Sequence, residues 1–183
     1  MNRIQLLPLG AMRPDILSDL CEGLAAEFTV PCEVLQAEAD PAFAFNVTRQ
    51  QYSSTEILTA MSARATPDTW RLLGVTAHDL YIPILTFVFG EAQLEGRCAV
   101  VSTKRLGEGF YGLPEDAPLF RKRLLKESVH ELGHTLTLSH CEDYQCVMAP
   151  SHGVEWIDLK THRFCGECRT RVPSRAKISA GKR

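Results

Sequence analysis

Twelve residues, 130-HELGHTLTLSHC-141, hold three histidines, a glutamate and a cysteine. His130 and His134 stand four apart, a spacing that on a helix puts both imidazoles on one face, a turn apart. Two imidazoles so placed grip one Zn2+, while Glu131 reaches a water on the ion rather than the ion itself. Zinc lowers the pKa of that water toward ~7. Glu131 is then the candidate general base during attack on a peptide carbonyl, and afterwards the proton donor to the leaving amine. His140 is the candidate third ligand. In an unbroken helix its offset from His134 means ~600° of rotation and ~9 Å of rise, which turns it away from the metal. It ligates only where the helix stops near residue 137 and the chain turns back. The pattern HExxHxxGxxH makes that turn with glycine, and this chain has Thr137 there. A left-handed threonine costs about 1–2 kcal/mol more than glycine. Structural-zinc binding energies on the order of 10 kcal/mol offset that cost. Two other outcomes stay open. The helix could end at a neighbouring residue with Thr137 at negative φ, or Glu142 or Asp143 could ligate in place of His140.

Cys141 begins a second pattern, C-x4-C-x18-C-x2-C, formed by Cys141, Cys146, Cys165 and Cys168. Four thiolates close a tetrahedron around a structural zinc and leave no place for water. Gly166 permits the tight turn that lets both thiolates of 165-CGEC-168 face one ion. Two disulfides are disfavoured in a reducing compartment. A thioredoxin-like CxxC needs a strand before it and a helix after it, which a basic tail does not supply. An iron–sulfur cluster is the remaining alternative. The reading is therefore two Zn2+ per chain, one catalytic and one structural, with the second pinning the chain just beyond His140. Cys21, Cys32 and Cys98 stand singly in apolar surroundings and read as buried free thiols.

These ligands need a scaffold. IQLLPL reads as a first strand, Asp15–Phe28 as a helix with apolar residues at helical spacing, and Glu33–Ala37 as a second strand. Ser53–Glu56 opens another helix, running to about Arg64, with a capping pattern. Trp70–Thr76, Thr86–Phe89 and Cys98–Ser102 supply three more strands. A Gly/Pro-rich loop, 107–118, leads into a long helix of about Pro118–Leu136, with Asp116 as its cap. One short helix is expected at Trp156–Lys160. The layout is α/β, followed by a small cysteine-bearing part.

The chain has 183 residues, 45% hydrophobic and 23% charged, values that suit one globular domain. No apolar run approaches the ~20 residues of a membrane helix. The N-terminus lacks the longer apolar segment and cleavage site of a signal peptide, so a cytoplasmic protein is expected. Six of the 20 Lys/Arg fall in residues 169–183, which hold no acid. That end reads as a basic flexible tail. The acidic body before it argues against a nucleic-acid partner.

The combination HExxHxxxxxHC-x4-C-x-M with a later CxxC resembles the archaemetzincins, a branch of the metzincin zinc peptidases. It reads here His130, Glu131, His134, His140, Cys141, Cys146, Met148, Cys165 and Cys168. The stretches 46-NVTRQQYSSTEIL-58, 79-DLYIPILTFVFGEAQ-93 and 98-CAVVSTKRL-106 are similar to the family's N-terminal half. The departure from the family pattern is Thr137. The resemblance implies a metzincin-like zincin fold over residues 1–168: a twisted mixed sheet with an antiparallel edge strand, backing helices, an active-site helix, and a small zinc-bound subdomain at 141–168. It assigns Met148 to a tight turn beneath the catalytic zinc, and it places Thr86–Phe89, extended toward Gln93, as the edge strand above the cleft. It implies hydrolysis of peptide or protein substrates. The rival reading is a non-catalytic zinc protein that binds peptides or partners in the same cleft. Tyr111 and Tyr144 are both candidates to stabilise an oxyanion, as a tyrosine does in some metzincins. His78, Asp79, His152 and His162 read as turn or surface residues.

Overall fold

Alternation along the strands sorts the apolar residues into two layers. In β1 (Arg3–Leu9), Ile4 and Leu6 face one side of the sheet, and Leu7 and Leu9 the other. The same period of two puts Leu73 and Val75 of β5 (Thr69–Thr76) with Ile4, and Leu72 with Leu7. The computed structural model describes residues 2–36 and 38–174. Its main sheet has the order β2-β1-β5-β8-β7, with β2 at Cys32–Val34, β7 at Gly90–Ala92 and β8 at Cys98–Ser102. The first four strands are parallel; β7 runs antiparallel to β8 at the edge. Strands buried on both faces read as continuous apolar runs, which is how RIQLLPL and CAVVS announce themselves.

One face is covered by α1 (Pro14–Phe28) and α3 (Ala117–His134), the other by α2 (Ser54–Ser62). Ser53 caps α2 by accepting from the Glu56 amide, and Asp116 caps α3 by accepting from the Leu119 amide. A smaller sheet, β3-β4-β6 (Phe45–Asn46, Gln51–Ser53, Leu80–Tyr81), sits beside the main one. Its job is visible in its bonds. Gln51 donates to Asp79 Oδ2 and to the Thr86 carbonyl, and Arg49 donates to the Leu85 carbonyl at 2.6 Å. Asp79 in turn accepts two bonds from Arg105 at 2.6 and 2.7 Å. Together they hold the 82–89 segment across a cavity from the histidine-bearing face of α3.

Three placements differ from the sequence expectation. The antiparallel edge strand is Gly90–Ala92, the part of the expected edge that extends toward Gln93, and it does not include Thr86–Phe89, where Val88 makes an isolated bridge to Leu80 of β6. Pairing with β8 begins where Ser102 donates to the Phe89 carbonyl, so Thr86–Phe89 belongs to the tie between the two sheets. The short helix α4 runs Val154–Leu159, and Lys160 follows it. A further helix, α5 (Gly166–Arg171), continues past residue 168, and Arg169 bonds Glu27 Oε1 at 3.0 Å. The rest of the expected tail, 175–183, lies outside the described residues. Among the described residues no helix is long and apolar enough to cross a membrane.

Candidate metal centre and active-site cleft

The last turn of α3 carries His130, Glu131 and His134, and the helix ends at His134. Thr137 then takes the left-handed conformation, φ 67°. Its amide bonds the His134 carbonyl, and the Leu138 amide returns to the Gly133 carbonyl, satisfying the carbonyls a helix end leaves open. Of the outcomes left open by the sequence, this is the turn-back at residue 137 itself. It brings the His140 ring centroid to 5.4 Å from His130 and 5.0 Å from His134.

The ligand nitrogens of the three histidines lie within 4.8 Å of one another, with His130 and His134 Nε2 3.1 Å apart. Zinc–nitrogen bonds of ~2.0–2.1 Å at tetrahedral angles ask for about that nitrogen spacing. The opposite ring nitrogens are already committed. His130 Nδ1 donates to the Val147 carbonyl and His134 Nδ1 to the Leu138 carbonyl, each at 2.8 Å. A carbonyl partner fixes the proton on Nδ1 and leaves the Nε2 lone pair free. Burial, reinforced by the Lys160 ammonium, pushes His130 well below the usual histidine range, so the ring stays neutral. Burial also lowers His134 and His140. Neutral imidazole is the ligating form.

Glu131 is buried in the same 590 Å3 cavity as the three histidines. Desolvation, and then the neighbouring Glu127, raise its carboxyl well above the usual glutamate range. Its side chain lies against Gly90 of β7. A Cβ at Gly90 would stand 2.6 Å from Glu131 Cγ and 2.6 Å from the Val100 carbonyl oxygen, so only glycine fits. On the other side of α3, a Cβ at Gly133 would collide with Met148 Sδ. Met148 is fully buried, and its carbonyl accepts from the Cys141 amide at 3.0 Å. Met148 thus packs against the turn of α3 that carries the histidines.

The four cysteine sulfurs also converge within 4.8 Å, and Cys141 and Cys165 Sγ are 3.9 Å apart. Zinc–sulfur bonds of ~2.3 Å place tetrahedral neighbours at about that separation, far beyond a disulfide bond of ~2.05 Å. The Cys168 amide points at Cys165 Sγ and lowers that thiol, while the Cys165 amide donates to Cys146 Sγ at 3.3 Å. Cys21, Cys32 and Cys98 lie outside this cluster.

The remaining singled-out residues separate cleanly. His78 stacks on Tyr52 with ring centroids 4.1 Å apart, and Asp79 is held by Arg105. Tyr111 donates to the Arg105 carbonyl, away from the cleft. Tyr144 is exposed, in a pocket that shares His140 with the cleft, and His152 lines the cleft wall. Sequence reasoning missed Gly90, Glu127 and Lys160. A lysine just after a short helix carries no pattern that announces burial, yet Lys160 is among the most buried side chains among the described residues.

Comparison with known proteins places the chain in a family. Residues 24–174 match the model of peptidase family M54. The chain is 40% identical to the archaemetzincin of Methanocaldococcus jannaschii, over 94% of each chain. It is 38% identical to that of Archaeoglobus fulgidus, over 93% of this chain and 98% of the relative. Among solved structures, a zinc-dependent peptidase from Methanocorpusculum labreanum superposes with a TM-score of 0.86 at 28% identity, covering 93% of this chain and all of the other. The Archaeoglobus fulgidus archaemetzincin, solved in complex with malonate, gives 0.80 at 37% identity, covering 93% and 99%. A shared family model across most of the chain, full-length relatives and the same α/β fold lead to one conclusion: the chain belongs to peptidase family M54, the archaemetzincins, and is a metallopeptidase.

Proposed function

We propose that this metallopeptidase works with one catalytic zinc at His130, His134 and His140, one structural zinc at Cys141, Cys146, Cys165 and Cys168, and Glu131 as general base. The observation that carries the reading is the convergence of three neutral imidazoles, two with Nδ1 tied to backbone carbonyls, beside a buried carboxylate in one cavity. Zinc held there would act as a Lewis acid toward the scissile carbonyl and bring the pKa of a water toward ~7. The Glu131 carboxylate takes the proton of the attacking water and passes it to the leaving amine. Gly90 keeps that carboxylate aimed along the cleft. Antiparallel pairing of β7 with β8 turns the backbone N–H and C=O of Gly90 and Ala92 outward, where an extended peptide would add as a strand.

The test is hydrolysis of a mixed peptide library by wild type and by Glu131→Ala, each with its metal content measured. Cleavage by wild type alone, at equal zinc content, is expected. Equal inactivity of both would favour a protein that only binds peptides in the cleft.

A further inference from the structure

Lys160 follows α4, and its side chain is completely buried. Its Nζ donates to the Ala149 carbonyl at 3.1 Å and lies 2.8 Å from Glu127 Oε1 and 3.5 Å from His130 Nδ1. Glu127 is nearly as deeply buried, and its Oε1 has the ammonium as its ion-pair partner but, among the described residues, no hydrogen bond of good geometry. Buried ion pairs are poor sources of stability, since apolar residues of similar size do as well or better. A different reason for this one lies in where Glu127 stands.

Glu127 is seven residues before His134 on α3, so the two project within ~20° of each other around the helix. It lines the same cavity as His130, Glu131 and His140. A carboxylate is an ordinary zinc ligand at ~2.0–2.2 Å, and a fourth protein ligand turns an open catalytic site into a closed structural one. Yet the Glu127 carboxylate stays outside the cluster of ligand nitrogens, drawn to Lys160. We propose that Lys160 is a positioning residue that sequesters the Glu127 carboxylate and so keeps the fourth metal position open for water and substrate. The lysine also fastens the Ala149 carbonyl, next to Met148, so the restraint comes from the fixed wall of the cleft and not from α3 alone.

The inference rests on zinc binding at the three histidines. Its test uses full-length protein with cobalt at the histidine site, zinc kept at the cysteines, and azide as the probe of an open position. Wild-type cobalt absorption is expected to shift with azide. Absence of cobalt binding by the wild-type histidines would instead sink the zinc assignment itself. Lys160→Met is expected to retain metal, lose the azide shift, and fall about 10- to 100-fold in kcat. Lys160→Met/Glu127→Gln, with no carboxylate left to intrude, is expected to regain both the azide shift and activity. An azide shift of wild-type size in Lys160→Met overturns the proposal, as does a double variant as inactive as the single one. Folding of Lys160→Met only when metal is present, read by circular dichroism, supports it, because the freed carboxylate then has the ion as partner. Failure to fold even at saturating metal makes the lysine a packing residue and overturns the idea.

Discussion

Thr137 concentrates the cost of the site in one residue. Its φ of 67° is the left-handed region, where a β-branched side chain is strained by about 1–2 kcal/mol. Thr137→Gly removes that strain but adds freedom to the unfolded chain, costing back about 0.5–1 kcal/mol. The net expectation is a Tm higher by about 1–4 °C in calorimetry, with metal content unchanged. A lower Tm would show that threonine sits there without strain. Gly90 is the opposite case, a residue with no side chain on which another side chain depends. Gly90→Ala must displace either Glu131 or the Val100 carbonyl of the neighbouring strand. The expected result is a loss of about 100-fold in kcat/KM with zinc still bound. Retained activity would mean that Glu131 does not need this wall. At this scale the candidate ligands were readable from the sequence, because i, i+4 spacing on a helix and paired cysteines are local signals. Gly90, Glu127 and Lys160 were not, since their roles arise from contacts between elements far apart in the chain.

At the scale of elements, the upper rim of the cleft is tied down by polar bonds. Burial works against the Asp79 carboxylate, but the Arg105 guanidinium and Gln51 outweigh it and hold the group below its ordinary value of 3.8. A carboxylate with a depressed folded pKa contributes stability above the unfolded value, and that contribution is lost as pH falls through the folded value. Asp79→Asn should therefore destabilise by about 1 kcal/mol near neutral pH, a modest figure because the pair is partly solvated. In urea unfolding the gap between variant and wild type should close below pH 3.8. A gap independent of pH would assign the effect to packing. The same segment explains where the strand pattern misled. Thr86–Phe89 has the β-branched and aromatic composition of a strand, but the Thr86 carbonyl is claimed by Gln51 and Arg49, and the Val88 amide by the Leu80 carbonyl. The ladder to β8 starts one step later, at a glycine that composition alone would place in a turn.

On the scale of the whole molecule, the described residues after α3 have little secondary structure of their own: two short helices and the turns that carry His140 and the four clustered cysteines. Its apolar residues Cys146, Val147, Met148, Ile157, Phe164 and Cys168 nevertheless complete the core on the α1–α3 side. Loss of the ion expected at the cysteines should loosen that entire layer. Cys141→Ser is expected to lower total zinc by at least one per chain and to reduce Tm, with added chelator lowering Tm less in the variant than in wild type. Unchanged zinc content would remove Cys141 from the ligand set. The α/β layout was legible because strands buried on both faces are continuous apolar runs. The α5 helix was not, because six residues of mixed charge next to a cysteine pair carry no periodic signal.

The three-residue strand β7 also bears on solubility. An unpaired sheet edge is a template on which a second copy of the chain can stack, and proteins usually keep such edges short or covered. Here the edge exposes the outward groups of two residues, Gly90 and Ala92. Upstream, Val88 is bridged to Leu80; downstream, the Gly96 amide closes a turn on the Gln93 carbonyl. The face opposite is occupied by α3. The edge proposed for a substrate strand is thus a short template for the rim of another folded sheet.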